Sequence, residues 1–394
     1  MKKARLFIKK IGVNIVQKMV MFFSDKIIIN IIAPLPKRKF VIGVTEIANN
    51  IYMLKKVIPE SYSVCFGLNQ YYLNNTYDFI SPNKKLYSSL YHYLYKPFLL
   101  CRLAQAVDVF IYMWTGSFCE DREMDFKYLK RKNKKIITIF LGNDIRSPKK
   151  LKEYIEEKEY DSFIYYLPAE EIQNEEENRR RAEMTERYAD IIITANIDQP
   201  SYFVGPTFPF LYYIDPQEYG SINYAKYQDL KRLKILHFPT STIIKGTQLV
   251  RAAIKKLKVE GYVFEYIEGN NIQHSELIQI LKDAHIVLNQ FYSFVPGTFG
   301  IEALFSYSAV LMSADPDLER FPEQPDNAWI LTRYWEVYDN LKFCLDNPKQ
   351  LDGFAKRGHS YAMRNYTIDA ARKQLISYCS KTGIPFTDNP HKII

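Results

Sequence analysis

The segment 285–313, which reads HIVLNQFYSFVPGTFGIEALFSYSAVLMS, constrains the fold of this chain more than any other. Two apolar runs, 286–288 and 309–312, predict buried strands about twenty residues apart. Between them, Pro296-Gly297-Thr298 predicts a turn, and a short helix is expected to begin near Thr298. A strand, a glycine-containing turn and a helix N-terminus aim free backbone N–H groups and the positive helix end at one place. The segment therefore predicts an anion site.

One carboxylate, Glu302, is expected one turn inside this short helix. A carboxylate beside a phosphate is repelled by it, unless the carboxylate accepts hydrogen bonds from a neutral group such as a ribose diol. Phosphate and sugar hydroxyls together indicate that the ligand is a nucleotide.

Residues 297–314, GTFGIEALFSYSAVLMSA, resemble the donor-site signature of GT-B glycosyltransferases, especially the family 4-like enzymes of bacterial surface-polysaccharide type. In that family a glycine-rich turn and a Glu-Ala pair bind the nucleotide sugar. The order of several motifs agrees from about Val107 to Thr367. The resemblance implies an α/β fold of the GT-B class, in which two Rossmann-like, doubly wound domains face each other across a cleft.

The length of 394 residues, of which 47% are hydrophobic, predicts two domains with sizeable cores. The polar stretch 219–231 is the expected linker, and the resemblance implies a last helix that crosses back to the first domain. The expected parts are a basic amphipathic N-terminal helix (1–36), an acceptor-side domain (37–228), a nucleotide-sugar-binding domain (229–366) and the returning helix (367–394).

Composition excludes several classes of protein. The five cysteines are scattered without a C-x-x-C pair, which is typical of a reducing compartment and of a chain without a zinc site. The net charge of +9 comes without a nucleic-acid recognition motif, so no nucleic-acid partner is expected. The 31 tyrosines and 25 phenylalanines are better explained by core filling than by sugar stacking.

Most of the charge asymmetry lies in residues 1–24, which carry six basic side chains and no acidic one. Lysines interrupt the apolar pattern and no cleavage site follows, so neither a transmembrane span nor a signal peptide is predicted. The helix either lies on an anionic cytoplasmic leaflet, with about 1 kcal/mol from each basic residue, or packs on the first domain with its basic face solvated. The first interpretation predicts a cytoplasmic protein, peripheral on the inner face of the membrane. The apolar residues at helical spacing are Ile8, Ile11, Ile15, Met19 and Phe22.

An acceptor site is expected where the apolar run 135–140 ends, because ligands gather at the carboxyl ends of strands in a doubly wound sheet. The next residues resemble the family's G-x-D-x-R loop, which implies that Asp144 is catalytic and orients or deprotonates an acceptor hydroxyl. Arg146 would hold Asp144 or an acceptor phosphate. Alternatively, Asp144 caps the following helix with Arg146 as its local partner. The expected acceptor-side residues are Gly142, Asn143, Asp144 and Arg146.

A second donor motif follows the predicted strand 233–238, where Lys245-Gly246 precedes a helix. This pair matches the family's motif for the donor diphosphate. A cation at this position is expected to neutralise the leaving diphosphate, so Lys245 is the second catalytic candidate. The alternative is an ordinary exposed lysine at a turn. The expected donor-binding residues are Thr240, Lys245, Gly246, Gly297, Thr298 and Glu302.

Two positions depart from the family. Phe294 stands eight residues before Glu302, where a second Glu is common, and Thr240 stands five residues before Lys245, where an Arg is common. The loop 269–273 lies where the family contacts the nucleotide base. His274, just after it, is expected to be a capping or surface residue.

The expected reaction is transfer of a hexose-like sugar from a nucleotide diphosphate sugar, of uridine diphosphate type, to a hydroxyl of a growing surface glycan such as capsule or lipopolysaccharide. The acceptor is a glycan or a lipid-linked glycan. No Asp-x-Asp motif ends a predicted strand, so no metal and no cofactor are expected, and retention of configuration is favoured over inversion. Two alternatives remain, a GT-B nucleotide-sugar epimerase and a non-catalytic subunit that binds sugar nucleotides.

Overall fold

The computed structural model describes residues 2–28, 31–67, 76–80, 91–160, 165, 175–195, 202–270 and 272–387. It contains one seven-stranded sheet and, later in the chain, one five-stranded sheet. The strand pairs of both sheets are parallel. The predicted α/β class with two doubly wound domains is confirmed.

The first sheet has the order β3-β2-β1-β4-β5-β6-β7. Its central strands are apolar runs, buried on both faces by helices, as expected for a parallel sheet. The strands are β1 (Phe40–Gly43), β2 (Ser61–Cys65), β3 (Phe79–Ile80), β4 (Val109–Met113), β5 (Lys135–Ile139), β6 (Ile191–Thr194) and β7 (Phe208–Pro209).

Two helices of the first domain begin at residues whose side chains cap them. Asp121 accepts a hydrogen bond from the backbone N–H of Glu123, and Ser147 accepts one from Lys150. Much of the tyrosine-rich stretch 71–95 lies outside the described residues. The helices are α1 (Lys2–Phe23, continued by a π-helix Ser24–Ile28), α2 (Asn50–Val57), α3 (Lys96–Ala106, preceded by a π-helix Tyr91–Tyr95), α4 (Arg122–Arg131), α5 (Pro148–Glu157) and α6 (Glu175–Tyr188).

The second sheet has the order β12-β11-β10-β8-β9. The chain passes from β8 to β9 on one side and then to β10 on the other side of β8. The strand order therefore reverses between β8 and β10, which is where ligands bind in open α/β sheets. The strands are β8 (Leu233–His237), β9 (Phe264–Glu268), β10 (Ile286–Leu288), β11 (Ala309–Met312) and β12 (Ile330–Leu331).

The helices after the first sheet include the two that follow β8 and β10. Three short 3₁₀ helices also occur among the described residues: Tyr224–Gln228 before β8, and Tyr334–Glu336 and Pro348–Gln350 after β12. The α-helices are α7 (Pro216–Tyr219), α8 (Thr247–Val259), α9 (His274–Lys282), α10 (Gly297–Phe305), α11 (Val337–Asp346), α12 (Leu351–Asn365) and α13 (Ile368–Lys381).

The backbone passes between the two domains at two adjacent points. Ile214, on the way out of the first domain, forms a parallel bridge with Thr367, on the way back. Helix α13 then packs on the first domain, where Leu375 joins the core of the first sheet. Arg372 forms an ion pair with Glu60 at 2.9 Å. The two crossings therefore form one narrow hinge.

Helix α1 packs on the first domain through Gln17, Met21 and Ser24, which are all buried. The apolar residues Ile11, Ile15, Met19 and Phe22, predicted to share one face, are exposed, so the interpretation in which this apolar face packs on the first domain is wrong. No helix of the described residues is long and apolar enough to cross a membrane.

Close packing in the second domain predicts that alanine substitutions at two glycines of α12 change the free energy of unfolding in opposite directions. A Cβ at Gly358 would lie 2.6 Å from the carbonyl oxygen of Ala328 and 2.7 Å from Cδ2 of Leu304. Gly358→Ala is therefore expected to lower the free energy of unfolding by about 1–3 kcal/mol. The matched control is Gly353→Ala, where the nearest atom is Arg357 Nη1 at 3.5 Å, and a gain of up to about 1 kcal/mol is expected. Urea unfolding checks both, and equal effects would contradict the packing argument.

Candidate donor site

The candidate site lies where the loops after β8 and β10 meet. The two strands are neighbours and run parallel, so their carboxyl ends reach the same edge of the sheet. Lys245 ends the first loop, and Asn289 and Gln290 begin the second. The close approach at Gly246 depends on glycine, because its φ is +66° and a Cβ there would lie 3.2 Å from Phe291 Cβ.

Lys245 is a buried cation that interacts with neutral groups. Its Nζ donates to Asn289 Oδ1 at 2.9 Å and to Gln290 Oε1 at 3.1 Å, and the residue is 7% exposed. Burial lowers the pKa of Lys245 to about 8, and the charge of Glu302 opposes this shift. Within the described residues no carboxylate forms an ion pair with Lys245. An ammonium group with three N–H donors and two neutral acceptors favours an anion as its third partner.

The two amides connect Lys245 to the start of α10. Nδ2 of Asn289 donates to the carbonyl of Pro296 at 2.7 Å, and Nε2 of Gln290 donates to the carbonyl of Val295. The Asn289 side chain lies against Gly300, where a Cβ would be 2.4 Å from Nδ2. The glycine at 300 is therefore required by this close approach.

Helix α10 begins at Gly297 without a side-chain cap, since its N-cap residue is Pro296. The backbone N–H groups of its first turn thus have no side-chain acceptor from the cap. The Lys245 ammonium lies 5.7 Å from the centre of the Phe299 ring, within this first turn. A buried cation and an uncapped helix N-terminus therefore lie at the same place, and both favour an anion.

Glu302 is bonded to His274, at 2.6 Å between Oε1 and Nε2. Burial lowers the pKa of His274, but the hydrogen bond and charge of Glu302 outweigh it, so the pKa is raised. The expectation that His274 is a capping or surface residue is wrong. Gln273 is the N-cap residue of α9, and the imidazole is mostly buried because it turns toward the Glu302 carboxylate of α10.

The cleft between the domains reaches this pair. Thr298, Glu302 and His274 line a cavity together with Asn50 of the first domain and Ile214 of the hinge. The cavity has a volume of about 30 Å³, whereas pockets for drug-sized ligands measure roughly 300–1,000 Å³. A nucleotide sugar therefore requires the domains to separate at this point.

Asp144 stabilises the predicted acceptor-side loop, which follows β5, through hydrogen bonds to the loop's own backbone. Its carboxylate accepts hydrogen bonds from the backbone N–H groups of Gly142, at 2.7 Å, and Leu141, at 3.1 Å, and the residue is 2% exposed. Burial raises the pKa of Asp144 to about 6, against the lowering effect of these hydrogen bonds. Arg146 donates to Asn143 Oδ1.

The alternative that Asp144 caps the following helix is wrong, because Ser147 is the N-cap residue of α5. Asp144 is absent from the lining of the described interdomain cavity. Its catalytic role stays a prediction.

The two departures from the family lie at the periphery of this arrangement. Thr240 is exposed in the loop after β8. Phe294 packs against Tyr160 of the first domain, with ring centres 6.1 Å apart. Neither supplies a charge to the cleft. No group of three or more His, Cys, Asp or Glu side chains arranged to hold a metal occurs among the described residues.

Several residues of the site were not identified from the sequence. Asn289 and Gln290 directly follow a predicted strand, which was the one available signal for them. His237 is fully buried, with Nδ1 2.8 Å from the Leu288 carbonyl and Nε2 3.0 Å from Thr247 Oγ1. Burial lowers the pKa of His237 to about 4. This neutral imidazole joins β8, β10 and the first residue of α8, and so fixes the loop that carries Lys245.

No protein-family model matches the sequence, and no curated protein matches it. Solved structures of similar fold include sucrose-phosphate synthase from Thermosynechococcus elongatus, with a TM-score of 0.56 and 14% identity over 88% of this chain and 98% of that one. An alpha-glucosyltransferase in complex with UDP-glucose and DNA has a TM-score of 0.51 and 10% identity over 88% and 100%. MnaA of S. aureus with UDP has a TM-score of 0.50 and 13% identity over 90% and 99%. These similarities confirm the GT-B fold.

The bond between His274 and Glu302 predicts a specific titration. The imidazole of His274 is expected to titrate above its ordinary pKa of 6.5, because Glu302 favours the charged form. In Glu302→Gln the charge of Glu302 is lost, while burial and the smaller effect of the Glu218 charge remain, so the pKa of His274 should fall. NMR of ¹³C-labelled histidines checks this, with His359 as an internal control that should not move. An unchanged His274 titration in the variant would contradict the pairing.

Proposed function

We propose that this protein is a glycosyltransferase that moves a sugar from a nucleotide diphosphate sugar, of uridine diphosphate type, to a hydroxyl of a growing surface glycan. One observation carries the proposal: the buried Lys245 ammonium, held by two neutral amides, lies at the uncapped N-terminus of α10. Such a site is suited to the diphosphate that leaves in sugar transfer. The structural neighbours bound to UDP or UDP-glucose support this donor type.

In the proposed reaction the bond between the sugar C1 and the diphosphate oxygen breaks, and a bond from C1 to the acceptor oxygen forms. The diphosphate leaves with the electron pair of the broken bond, and the proton of the acceptor hydroxyl passes to an oxygen of the leaving diphosphate. Lys245 and the first backbone N–H groups of α10, from Gly297 to Phe299, stabilise the developing charge. This electrostatic role is the one that a metal ion has in other transferases, so the proposed reaction is metal-independent.

Glu302 and His274 would hold the ribose of the donor. The carboxylate accepts one hydrogen bond from His274 and has further lone pairs for a diol. Thr298 lines the same cavity from the first turn of α10. Because residues of both domains line this cavity, closure over the donor would exclude water from the reacting atoms.

The acceptor would enter from the first domain, beside the loop that Asp144 stabilises. In the conformation described, the Asp144 carboxylate is engaged by backbone N–H groups, so the loop must rearrange before Asp144 touches an acceptor. We propose a capsule, lipopolysaccharide or similar glycan as acceptor, carried by a lipid at the inner face of the cytoplasmic membrane. Retention of configuration is proposed with it.

A second candidate is a non-catalytic subunit that binds sugar nucleotides. It is favoured by Phe294 and Thr240, since neither can replace the carboxylate or guanidinium that the resemblance implies at these positions. A nucleotide-sugar epimerase is the third possibility, and it would need no acceptor.

Incubation with a panel of nucleotide sugars, with and without a lipid-linked glycan acceptor, separates these functions. Transfer predicts that free UDP appears only with the acceptor, and the anomeric configuration of the product tests retention. An isomerised donor would identify an epimerase. Tight donor binding without turnover would identify the subunit, and neither binding nor turnover would overturn all three.

The low pKa of Lys245 predicts a pH-dependent affinity. Between pH 7 and pH 9 the unliganded ammonium loses its proton, because burial sets its pKa near 8. The affinity for UDP should therefore fall by about tenfold over this range. Lys245→Met should bind UDP at least about tenfold more weakly at pH 7 and show little pH dependence.

Isothermal titration calorimetry measures these affinities. The matched control is Lys255→Met, at an exposed position of α8, which should keep the wild-type affinity and pH profile. A Lys245→Met variant with wild-type affinity would contradict the assignment of the diphosphate site.

A further inference from the structure

A surface helix usually buries its apolar face, but helix α1 exposes its apolar face and buries polar residues. The face that packs on the first domain carries Gln17 and Ser24, which are 0% exposed. Gln17 Oε1 accepts a hydrogen bond from the backbone N–H of Glu120 at 2.8 Å. Asn14 Oδ1 and Ser24 Oγ are buried without a partner among the described residues. The inner face of this helix thus buries several polar groups beside one core residue, Met21.

The outward face of α1 is apolar. Ile15 and Met19 are each 54% exposed, and Phe22 is 60% exposed. A contiguous apolar surface of this kind marks an interaction site when it lies on a soluble domain. The exposed apolar residues of α1 and its π-helical continuation are Ile11, Ile15, Val16, Met19, Phe22, Phe23, Ile27 and Ile28.

A basic groove adjoins this apolar face. It lies between α1 and α4, has a volume of about 950 Å³, and includes Phe22 in its lining. Two carboxylates, Asp25 and Asp121, also line it, and Asp25 is engaged by Tyr128 at 2.7 Å and by Lys132 at 2.6 Å. The cations of the groove are Lys18, Lys26, Lys127, Lys130, Arg131 and Lys132.

We propose that α1 and this groove dock the protein on an anionic lipid bilayer. The apolar face enters the boundary between headgroups and acyl chains, and the groove cations bind lipid phosphates. Membrane docking rests on the proposed function, and it adds to that function the surface that meets the membrane. It also places the first domain, the proposed acceptor side, next to the bilayer.

Charge complementarity selects the bilayer over a second copy of this chain. A symmetric dimer brings the same patch of two protomers together. Six cations line the groove, against two lining carboxylates and two more, Glu123 and Asp190, which pair with Lys127 and Lys130. The groove keeps a positive excess, so two such grooves would repel each other. An anionic lipid surface instead offers phosphates to the cations and an apolar interior to Ile15 and Phe22.

The test is co-sedimentation of the full chain with vesicles of phosphatidylglycerol and phosphatidylcholine, compared with phosphatidylcholine alone. Wild type should bind the anionic vesicles at least tenfold more tightly. Ile15→Glu with Phe22→Glu should abolish this binding. The matched control is Val259→Glu with Val263→Glu, at positions 81% and 77% exposed on the second domain, which should bind as wild type does.

A second pair of variants tests the groove. Lys18→Gln with Arg131→Gln should weaken binding by about fivefold for each cation removed, and added salt should remove the difference. The control is Lys255→Gln with Lys349→Gln, two exposed lysines of the second domain. Thermal melting shows that each variant folds.

Three outcomes would overturn the proposal: equal binding to neutral vesicles, unchanged binding of the Ile15→Glu with Phe22→Glu variant, or a lipid-free dimer that this variant dissociates. Binding of UDP, measured in the same variants, separates this failure from failure of the proposed function. A docking variant should keep its UDP affinity, because α1 packs on the first domain and Lys245 lies in the second.

Discussion

The burial of the Lys245 ammonium group is the constraint that determines how the loops of the second domain are arranged around it. Moving a charged group out of water costs several kcal/mol unless hydrogen bonds and an opposite charge compensate. Here Asn289 and Gln290 supply two hydrogen bonds to Lys245, and Glu302 supplies a nearby negative charge. The compensation is incomplete, since burial still lowers the pKa of Lys245. This incomplete compensation favours an anion, and in the proposed function that anion is the diphosphate of the donor.

The same contacts explain why glycines occupy particular positions of the site. Gly246 lets the loop after β8 turn against Phe291, and Gly300 makes room for the Asn289 side chain. Gly297 begins α10 with a φ of +62°. Each glycine therefore helps the two loops to pack closely around the Lys245 ammonium group.

A narrow hinge and side-chain contacts across the cleft determine how the two domains are positioned relative to each other. The two crossings of the chain lie side by side at Ile214 and Thr367. On the far side, Tyr160 of the first domain contacts the rings of Phe294 and Trp335. The cavity lined by Glu302 and His274 is small in this conformation, so the proposed entry of a donor would require the domains to separate and these aromatic contacts to loosen. Phe294, which stands where the resemblance implies a Glu, thus contributes to contact between the domains.

Local signals predicted the fold and the two loops that meet at the candidate donor site. The strand, turn and helix of residues 285–313 and the Lys245-Gly246 pair are short-range patterns, and both lie at the reversal of the strand order. The bond between His274 and Glu302 was missed because it joins two helices whose approach depends on packing of the whole domain. Periodicity likewise predicted helix α1 but not which face points outward, since the surface of the first domain decides that.

The most direct test is a crystal structure of the protein soaked with UDP. The β-phosphate should lie at hydrogen-bond distance from Lys245 Nζ, about 2.7–3.2 Å, and over the first turn of α10. The ribose hydroxyls should contact Glu302. UDP bound elsewhere, or bound with its diphosphate away from Lys245, would contradict the account.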